Sequence, residues 1–268
     1  IDAEDFCKKV LIEKIFGECS MVVEEYLDGF EMSLLCFVDN NTIKPLPTVK
    51  DHKKIHDGER GLNTGGMGTY SPNSQADIYL PEIESTVLTP FLDGIKKDAL
   101  DFRGIIFIGF MIGTKGIKVL EFNTRFGDPE TQTVLQRFET DLLDIMLHTS
   151  DSNLNGIDIR FNDKKVITLV ISSGGYPEKY ETGCEITGLE NVSSKVFHAG
   201  TAIKDGKPVT SGGRVISLTS CKDTFEEAFN LVYSDAKAVD FKNKYYRRDI
   251  SPLVKRIYVE KKEKFNEE

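Results

Sequence analysis

A carboxylate and an amide stand two residues apart in the segment 119–123, which reads Val-Leu-Glu-Phe-Asn. Because side chains alternate across a β-strand, Glu121 and Asn123 are expected on the same face if this segment is extended. Their oxygens are the hard ligands that Mg²⁺ accepts when substrate phosphates complete its coordination. The alternatives are an exposed polar strand face, or an ion pair between Glu121 and a nearby arginine.

The turn that follows, residues 125–132, carries a guanidinium, two carboxylates and an amide. Arg125 has the planar fork that suits a phosphate or a carboxylate. Asp128 also suits the N-cap of a helix that begins at Pro129, and Glu130 suits its first turn because of the helix dipole. Helix initiation and substrate binding therefore explain these two carboxylates about equally well.

A glycine-rich segment at positions 63–68 reads Asn-Thr-Gly-Gly-Met-Gly. Glycines allow backbone N–H groups to converge on an anion, but the segment matches neither a Walker A loop nor G-x-G-x-x-G. By itself it favours a mobile surface turn. The preceding residues 51–54, Asp-His-Lys-Lys, add cations that could neutralise phosphate, with a solvated basic patch as the alternative.

Near the start of the chain, residues 24–27 (Glu-Glu-Tyr-Leu) and Glu31 suggest a nucleotide contact. A connection between strands can offer its N–H and C=O groups to an adenine edge, and a glutamate can accept hydrogen bonds from ribose hydroxyls. An ordinary sheet edge would have the same composition, so this pattern leaves both interpretations open.

Apolar periodicity, caps and turn residues predict the elements that position these residues. The expected strands are 21–26, 30–38, 105–112, 117–123, 166–172, 195–199 and 214–219. The expected helices are one that Asp2 caps and Gly17 ends, one over 82–100 with a bend at Pro90, one that begins at Asp128, and one over 224–239. The polar segment 151–163 is expected to separate two domains.

Composition excludes several classes of protein. The chain of 268 residues has 34 Lys and Arg against 43 Asp and Glu, a net charge of −9, which argues against nucleic acid and anionic membranes as partners. With 40% hydrophobic residues it can build a core. No apolar run approaches the ~20 residues of a membrane span. The five scattered cysteines indicate a reducing, cytoplasmic location.

Several motifs together closely resemble the glycinamide ribonucleotide synthetase (phosphoribosylamine–glycine ligase) family, ATP-grasp enzymes of purine synthesis. The most characteristic is RFGDPETQ at 125–132, and the others run in family order. They are VVEEYLDGFE (22–31), DHK with NTGGMGTYSP (51–72), LEFN (120–123), FHAGTAI (197–203), SGGRV (211–215) and YRRDI (246–250).

The resemblance implies an α+β chain with a partial ATP-grasp fold over 1–155, a small β-rich domain over 156–255 and a charged tail over 256–268. It also implies a reaction: glycine attacks the γ-phosphate of ATP to form glycyl phosphate, and phosphoribosylamine then displaces phosphate. The products are glycinamide ribonucleotide, ADP and phosphate. In some family members this enzyme is fused to other purine-synthesis domains.

The resemblance further assigns residues to roles. Glu121 and Asn123 would hold Mg²⁺ (or Mn²⁺), and Arg125, Lys53 and Asp128 would be catalytic. ATP would contact Glu24, Glu25, Tyr26, Leu27 and Glu31. Substrates would contact Asn63, Thr64, Gly65, Gly66, Met67, Gly68, Glu130 and Arg214.

Family members carry an N-terminal α/β domain and the first part of the ATP-grasp unit before this region, so we expect the chain alone to be inactive. Two other functions stay open. One is another ATP-grasp ligase, such as a biotin carboxylase or a formate-using purine enzyme. The other is a non-catalytic nucleotide-binding module.

Overall fold

A computed structural model describes residues 3–253, which fold around two large antiparallel sheets and also contain two two-stranded sheets. The helices are α1 (Ala3–Leu11), α2 (Ser74–Asp77), α3 (Leu80–Ile83), α4 (Thr89–Lys97), α5 (Glu130–Val134), α6 (Leu142–Ser150) and α7 (Phe225–Ala238). The strands are β1 (Phe30–Val38), β2 (Ile43–Pro45), β3 (Lys50–Asp51), β4 (Lys54–His56), β5 (Arg60–Asn63), β6 (Gly68–Ser71), β7 (Gly104–Gly113), β8 (Gly116–Asn123), β9 (Lys165–Ser173), β10 (Lys195–His198), β11 (Thr201–Lys204), β12 (Lys207–Thr210), β13 (Arg214–Lys222) and β14 (Lys244–Tyr245).

The first sheet has the strand order β2-β1-β7-β8. Both faces of this sheet are covered. Its central strands therefore carry apolar residues on both sides and lack the usual alternation of apolar and polar residues. Met32 and Leu34 face one core, which contains Ile83 of α3 and Ile95 of α4. Leu35 belongs to a second core on the opposite face. This packing fixes β1 and β7, and β8 extends the sheet at its edge.

The second sheet has the order β10-β13-β9-β6-β3, and β14 also pairs with β9. Helix α7 covers one face, where Val232 and Ala236 share a core with Leu169 and Leu218. Strands β3 and β6 lie before the polar segment 151–163 in the chain. This sheet therefore joins residues from both sides of the domain boundary expected from the sequence.

A chain of buried hydroxyls links α5 to the second sheet. Thr133 Oγ1 lies 2.7 Å from Thr69 Oγ1 and 2.6 Å from Thr168 Oγ1, and Thr168 Oγ1 lies 2.9 Å from Thr219 Oγ1. Each hydroxyl can donate once and accept more than once, so three donors are used between the hydroxyls, and Thr69 Oγ1 donates to the Pro129 carbonyl at 3.3 Å. This chain of hydroxyls fixes the helix whose first residue is Glu130.

The predicted α+β organisation is confirmed, and so are most strands. Strand β1 has the predicted limits, and β7, β8, β9, β10 and β13 overlap the predicted strands closely. Helix α7 also agrees: Thr224 is its N-cap and forms a capping box with Glu227. These elements carry strong local signals, either continuous apolar runs or a clear cap.

The strand predicted over 21–26 is wrong. In the part of the chain that the structure describes, this segment has no regular secondary structure and no neighbouring strand. Val22 is 81% exposed and Val23 78% exposed. Apolar β-formers need a paired strand and a covered face to form a strand. This segment has neither.

Two predicted helices are interrupted, and the first lies over 82–100. A π-helical segment (Glu84–Leu88) separates α3 from α4. Pro90 lies in the first turn of α4, directly after this segment, and residues 80–97 form one continuous helical run. The Thr89 N–H donates to the Glu84 carbonyl five residues back, and Pro90 has no N–H with which to continue the hydrogen bonding. The departure from α geometry therefore lies next to the proline.

The second interruption lies in the helix predicted to begin at Asp128. Helix α5 ends at Val134, and Phe138 is extended, with φ −70° and ψ 133°. Its ring packs edge-to-face on Phe37 and Phe161, and that contact replaces a continuing helix. Pro129 occupies the N-cap position of α5, so the prediction that Asp128 caps it is wrong; Asp141 caps α6 instead.

The predictions for the two chain ends are only partly tested. Helix α1 ends at Leu11 and not at Gly17 as predicted, while its predicted cap Asp2 and the charged tail lie outside the described residues. Within residues 3–253, no helix has the length and apolar character required to cross a bilayer.

Candidate functional site

The polar end of the first sheet presents one row of residues across three strands. Ser33 on β1 is paired with Gly109 on β7, and Gly109 with Glu121 on β8. Paired residues on neighbouring strands point to the same side of the sheet. A Cβ atom at Gly109 would lie 3.2 Å from Glu121 Cγ. The glycine therefore leaves room for the Glu121 side chain over the centre of the row.

A β-bulge sets the orientation of β8. Glu121 pairs with Gly109 but Val119 pairs with Phe110, so Leu120 is the extra residue. Beyond the bulge, Asn123 pairs with the residue two positions before Gly109. Glu121 and Asn123 therefore share a face, as strand alternation predicts. Asn123 is half-buried, whereas Glu121 is exposed.

The Lys53 ammonium lies between two of the predicted site residues. Its Nζ is 3.5 Å from Glu121 Oε1 and 3.7 Å from Glu31 Oε2. Burial lowers the pKa of Lys53, but Glu31, together with Asp51, Glu121 and Glu130, outweighs burial and raises the pKa above its usual value. The ammonium therefore stays charged at neutral pH. These contacts join β1, β8 and the turn between β3 and β4.

Two buried carboxyls lie behind Lys53. Glu130 accepts a hydrogen bond from Ser33 Oγ to its Oε1 at 3.1 Å. Burial raises the pKa of Glu130 despite that bond and the nearby Lys53. Burial, and then Glu130, raise the pKa of Asp51 well above its usual value. Both carboxyls are thus short of positive partners in a poorly solvated site, where a second cation would be stabilised.

Asp51 was missed as a site residue by the sequence analysis, which considered the segment 51–54 only as a source of cations. A carboxylate two positions before Lys53 was the available signal, because residues i and i+2 of an extended segment share a face. That signal alone could not show that Asp51 is buried beside Glu130.

The glycine-rich segment is not the mobile surface turn that its composition favours. Gly66, Met67 and Gly68 are buried. Gly66 has φ +115°, and a Cβ atom there would lie 2.6 Å from Pro129 Cδ and 2.9 Å from Asp51 Oδ1. This glycine is therefore needed for conformation and for close packing over the Asp51 carboxyl.

The backbone N–H groups of this segment are directed at the protein itself. The donations are Thr64 N to Lys53 O at 2.7 Å, Gly65 N to Tyr176 Oη at 3.0 Å, Gly66 N to Thr64 Oγ1 at 3.0 Å and Met67 N to His52 O at 2.9 Å. The segment thus forms a wall of the site with its N–H groups already paired. Asn63, at the end of β5, is exposed.

Three further predicted residues lie around the turn after β8. Arg125 is exposed, and its Nη1 donates to the Phe126 carbonyl at 2.9 Å. Asp128 accepts from Gln132 Nε2 at 2.9 Å and lies 3.4 Å from Arg214 Nη2. The structure therefore brings Asp128 and Arg214 together and leaves the Arg125 guanidinium at the surface.

Residues 24–27 approach the turn between β7 and β8. Glu24 and Glu25 are exposed, and Tyr26 is 87% exposed. Glu25 Oε2 lies 3.4 Å from Lys115 Nζ. An open cavity of about 240 Å³ lies here; its lining is Tyr26, Leu27, Asp28, Met111, Gly113, Thr114, Lys115, Gly116 and Lys118.

Comparison with known families gives two matches along the chain. Residues 2–131 match the phosphoribosylglycinamide synthetase ATP-grasp (A) domain, and residues 166–252 match the C domain of the same synthetase. The chain is 40% identical over 255 residues to a phosphoribosylamine–glycine ligase of Caldanaerobacter subterraneus, covering 94% of this chain and 61% of the relative. It is 44% identical over 257 residues to a bifunctional purine biosynthetic protein PUR2,5 of Pichia angusta, covering 93% of this chain and 33% of the relative.

Comparison with solved structures gives the same family and fold. The crystal structure of a phosphoribosylamine–glycine ligase from Thermotoga maritima superposes with a TM-score of 0.80 at 32% identity, covering 93% of this chain and 64% of that one. A biotin carboxylase domain of a thermophilic 2-oxoglutarate carboxylase, at 15% identity and a TM-score of 0.61 over 90% of this chain and 53% of its own, shares the fold. The chain spans about 61% of the length of the Caldanaerobacter ligase. It belongs to the phosphoribosylglycinamide synthetase family and has the ATP-grasp fold.

Proposed function

We propose that this chain forms part of an ATP-dependent ligase that joins glycine to 5-phosphoribosylamine through glycyl phosphate, and releases glycinamide ribonucleotide, ADP and phosphate. The observation that carries the proposal is the Lys53 ammonium held between Glu31 and Glu121, in a chain whose two matched segments belong to this one enzyme family. Charge neutralisation and alignment are the main requirements of phosphoryl transfer.

The donor set beside Lys53 fits Mg²⁺ or Mn²⁺ only when phosphate oxygens are added. Within residues 3–253, no group of three or more His, Cys, Asp and Glu side chains could hold a metal ion. Glu121 and Asn123 supply one carboxylate and one amide, which suits a cation that takes its remaining ligands from phosphates and water. When bound, the cation would neutralise phosphate charge.

Lys53 is the residue that we assign to the transferred phosphate. Its ammonium is charged and partly buried, and it lies 3.5 Å from Glu121, one of the two proposed metal ligands. Arg125, exposed on the next turn, can turn its planar fork towards the same phosphate or towards the acyl phosphate. Both residues act in this role by stabilising negative charge and not by transferring a proton.

The buried carboxyls suit the amino groups of the substrates. Glycine enters as an ammonium carboxylate and phosphoribosylamine as an amine, and Asp51 and Glu130 form a buried acidic pair that one ammonium, Lys53, only partly balances. We assign them to the glycine ammonium and to the proton that the attacking amine must lose. The glycine-rich segment 63–68 and Asp128 complete the wall around them.

The cavity beside Tyr26 and Leu27 is assigned to adenine, with Glu31 towards the ribose. Glu31 connects this cavity to Lys53, because it pairs with Met111 of the cavity lining and its Oε2 lies 3.7 Å from Lys53 Nζ. A biotin carboxylase domain with the same fold is described in complex with MgADP, ADP and bicarbonate. We infer that this chain also binds ATP, in a cytoplasmic enzyme of purine synthesis. Relatives named as bifunctional and trifunctional purine biosynthetic proteins support fusion to other enzymes of that pathway.

ADP release tests the proposal in a full-length enzyme that contains this chain. Release is expected with glycine and phosphoribosylamine together, and not when bicarbonate or formate replaces glycine. Release with bicarbonate or formate would support a different ATP-grasp ligase. Calorimetric binding of Mg-ATP without any substrate-dependent release would indicate a non-catalytic nucleotide-binding module. In either case the proposed ligase activity would be wrong.

A further inference from the structure

Gly65 is held on both sides of its backbone by residues far away in the sequence. Its N–H donates to Tyr176 Oη at 3.0 Å, and its carbonyl accepts from Arg214 Nη1 at 2.8 Å. Tyr176 lies in the turn after β9, and Arg214 begins β13, so the second sheet carries both residues. The sequence resemblance places Arg214 among the substrate-binding residues, but the structure shows its guanidinium engaged with the protein.

The same guanidinium also holds the turn that carries Asp128. Arg214 Nη1 donates to the Asp128 carbonyl at 2.7 Å, and Nη2 lies 3.4 Å from Asp128 Oδ2. The other carboxylate oxygen of Asp128 accepts from Gln132 Nε2. Arg214 therefore links the glycine-rich segment to the start of α5, and its Nη1 alone holds both carbonyls.

Two glycines allow this arrangement. A Cβ atom at Gly65 would lie 3.0 Å from Arg214 Cζ, and one at Gly213 would clash with the Tyr176 ring. Tyr176 and Arg214 thus pack directly against the backbone. The segment that they hold continues into Gly66, where a Cβ atom would lie 2.9 Å from Asp51 Oδ1.

We propose that Tyr176 and Arg214 are positioning residues that fix Gly65 and Gly66 over the Asp51–Glu130 pair and so set the affinity for the amino-acid substrate. This inference rests on the proposed function. It gives the second sheet a role in the site, because a shift of Gly66 would open the wall beside Asp51, whereas the Lys53 ammonium is also held by Glu31 and Glu121.

The test uses Tyr176→Phe, which removes one hydroxyl, with Tyr180→Phe as the matched control. Tyr180 is a neighbouring exposed tyrosine whose ring centroid lies 6.2 Å from that of Tyr176. In the 268-residue chain, Tyr176→Phe is expected to speed hydrogen exchange of the Gly65 amide by roughly two- to tenfold, the effect of one hydrogen bond, and Tyr180→Phe to leave it unchanged.

In a full-length enzyme that contains this chain, Tyr176→Phe is expected to raise KM for glycine by a similar factor while KM for ATP and thermal stability stay within experimental error. Arg214→Lys should raise it further, because an ammonium cannot hold both carbonyls and the Asp128 carboxylate. Unchanged exchange at Gly65, or an equal rise in KM for ATP and glycine, would overturn the inference. Should the enzyme show no glycine-dependent turnover, the proposed function fails, and the exchange experiment still decides whether Tyr176 holds Gly65.

Discussion

Lys53 Nζ lies 3.5 Å from Glu121 Oε1, and this ion pair connects the turn after β3 to the edge strand β8. Glu31 on β1 approaches the same ammonium from the other side. Both distances exceed that of a direct hydrogen bond, so the three groups can separate to admit a phosphate or a cation between them. Lys53 is therefore held in position by two carboxylates that it can exchange for a phosphate.

Lys53→Met is expected to lower kcat of the full-length enzyme by at least ~100-fold, the usual loss when a preorganised charge on the reacting group is removed. The neighbouring Lys54→Ala is the control, because it removes an ammonium from the same segment without touching Glu31 or Glu121. Steady-state kinetics with saturating ATP measures both variants. Equal activity of the two would remove Lys53 from the proposed role.

Glu121→Ala and Asn123→Ala are expected to abolish Mg²⁺-dependent turnover without unfolding the protein, because Glu121 is exposed and Asn123 lies on an edge strand. A titration of activity against Mg²⁺ and Mn²⁺, with circular dichroism on the same samples, checks this. Glu139→Gln, at an exposed position outside the proposed site, should show the same dependence of activity on metal concentration as the unmodified enzyme. Near-normal activity of either site variant would refute the metal assignment. Chelation by EDTA should stop the reaction and added Mg²⁺ restore it.

Acidification is expected to destabilise the fold through His52. Burial lowers the pKa of His52 to about 3, helped by Lys50 and Arg247, and an unfolded histidine has a pKa near ~6.5. Between these values the unfolded state binds a proton that the native state excludes. His52 therefore costs no free energy of unfolding above pH ~6.5. Below that pH, and down to the native pKa, it lowers the free energy of unfolding by about 1.4 kcal/mol for each pH unit.

The comparison of His52→Gln with the unmodified protein isolates this effect. Asp51, whose pKa is raised, acts in the opposite direction, because its native form gains a proton before its unfolded form does. Urea unfolding at pH 7, 6 and 5 should show a smaller loss of stability for His52→Gln. His198→Gln, at an exposed histidine, should follow the unmodified protein. Parallel curves for all three proteins would contradict the prediction.

Arg247→Ala is expected to lower the free energy of unfolding by ~3–5 kcal/mol, because it leaves buried acceptors unpaired. The guanidinium is fully buried. It donates to both carboxylate oxygens of Asp249 at 2.7 Å, to the Lys54 carbonyl at 2.8 Å and to Glu59 Oε1 at 2.9 Å. Burial lowers its pKa, but these carboxylates outweigh burial and hold the pKa above the usual value.

The adjacent arginine supplies the control for that change. Arg248 is exposed, so Arg248→Ala should alter stability by less than about 0.5 kcal/mol. Chemical denaturation of the two variants compares a buried with an exposed guanidinium at neighbouring positions. A loss of similar size in both would show that the Arg247 contacts with Lys54, Glu59 and Asp249 do not stabilise the fold.

Local chemistry in the sequence determined the strongly apolar strands, the capped helix α7 and the shared face of Glu121 and Asn123. Each depends on residues close together in the chain: an apolar run, a Thr224–Glu227 cap, or the two-residue period of a strand. The same local reasoning failed where packing overrides propensity. Phe138 leaves the predicted helix to pack on Phe37, and residues 21–26 lack the paired strand that their composition requires.

Only the tertiary structure decided which groups meet in the site. It buried Asp51 beside Glu130, placed Lys53 between two strands of the first sheet, and engaged Arg214 with the Gly65 and Asp128 backbones. The spacing of residues along a chain limits local geometry, whereas these contacts depend on sheet register and on how two sheets pack. The sequence by itself thus determined the types of chemical group, and packing determined which of them act together and with what charge.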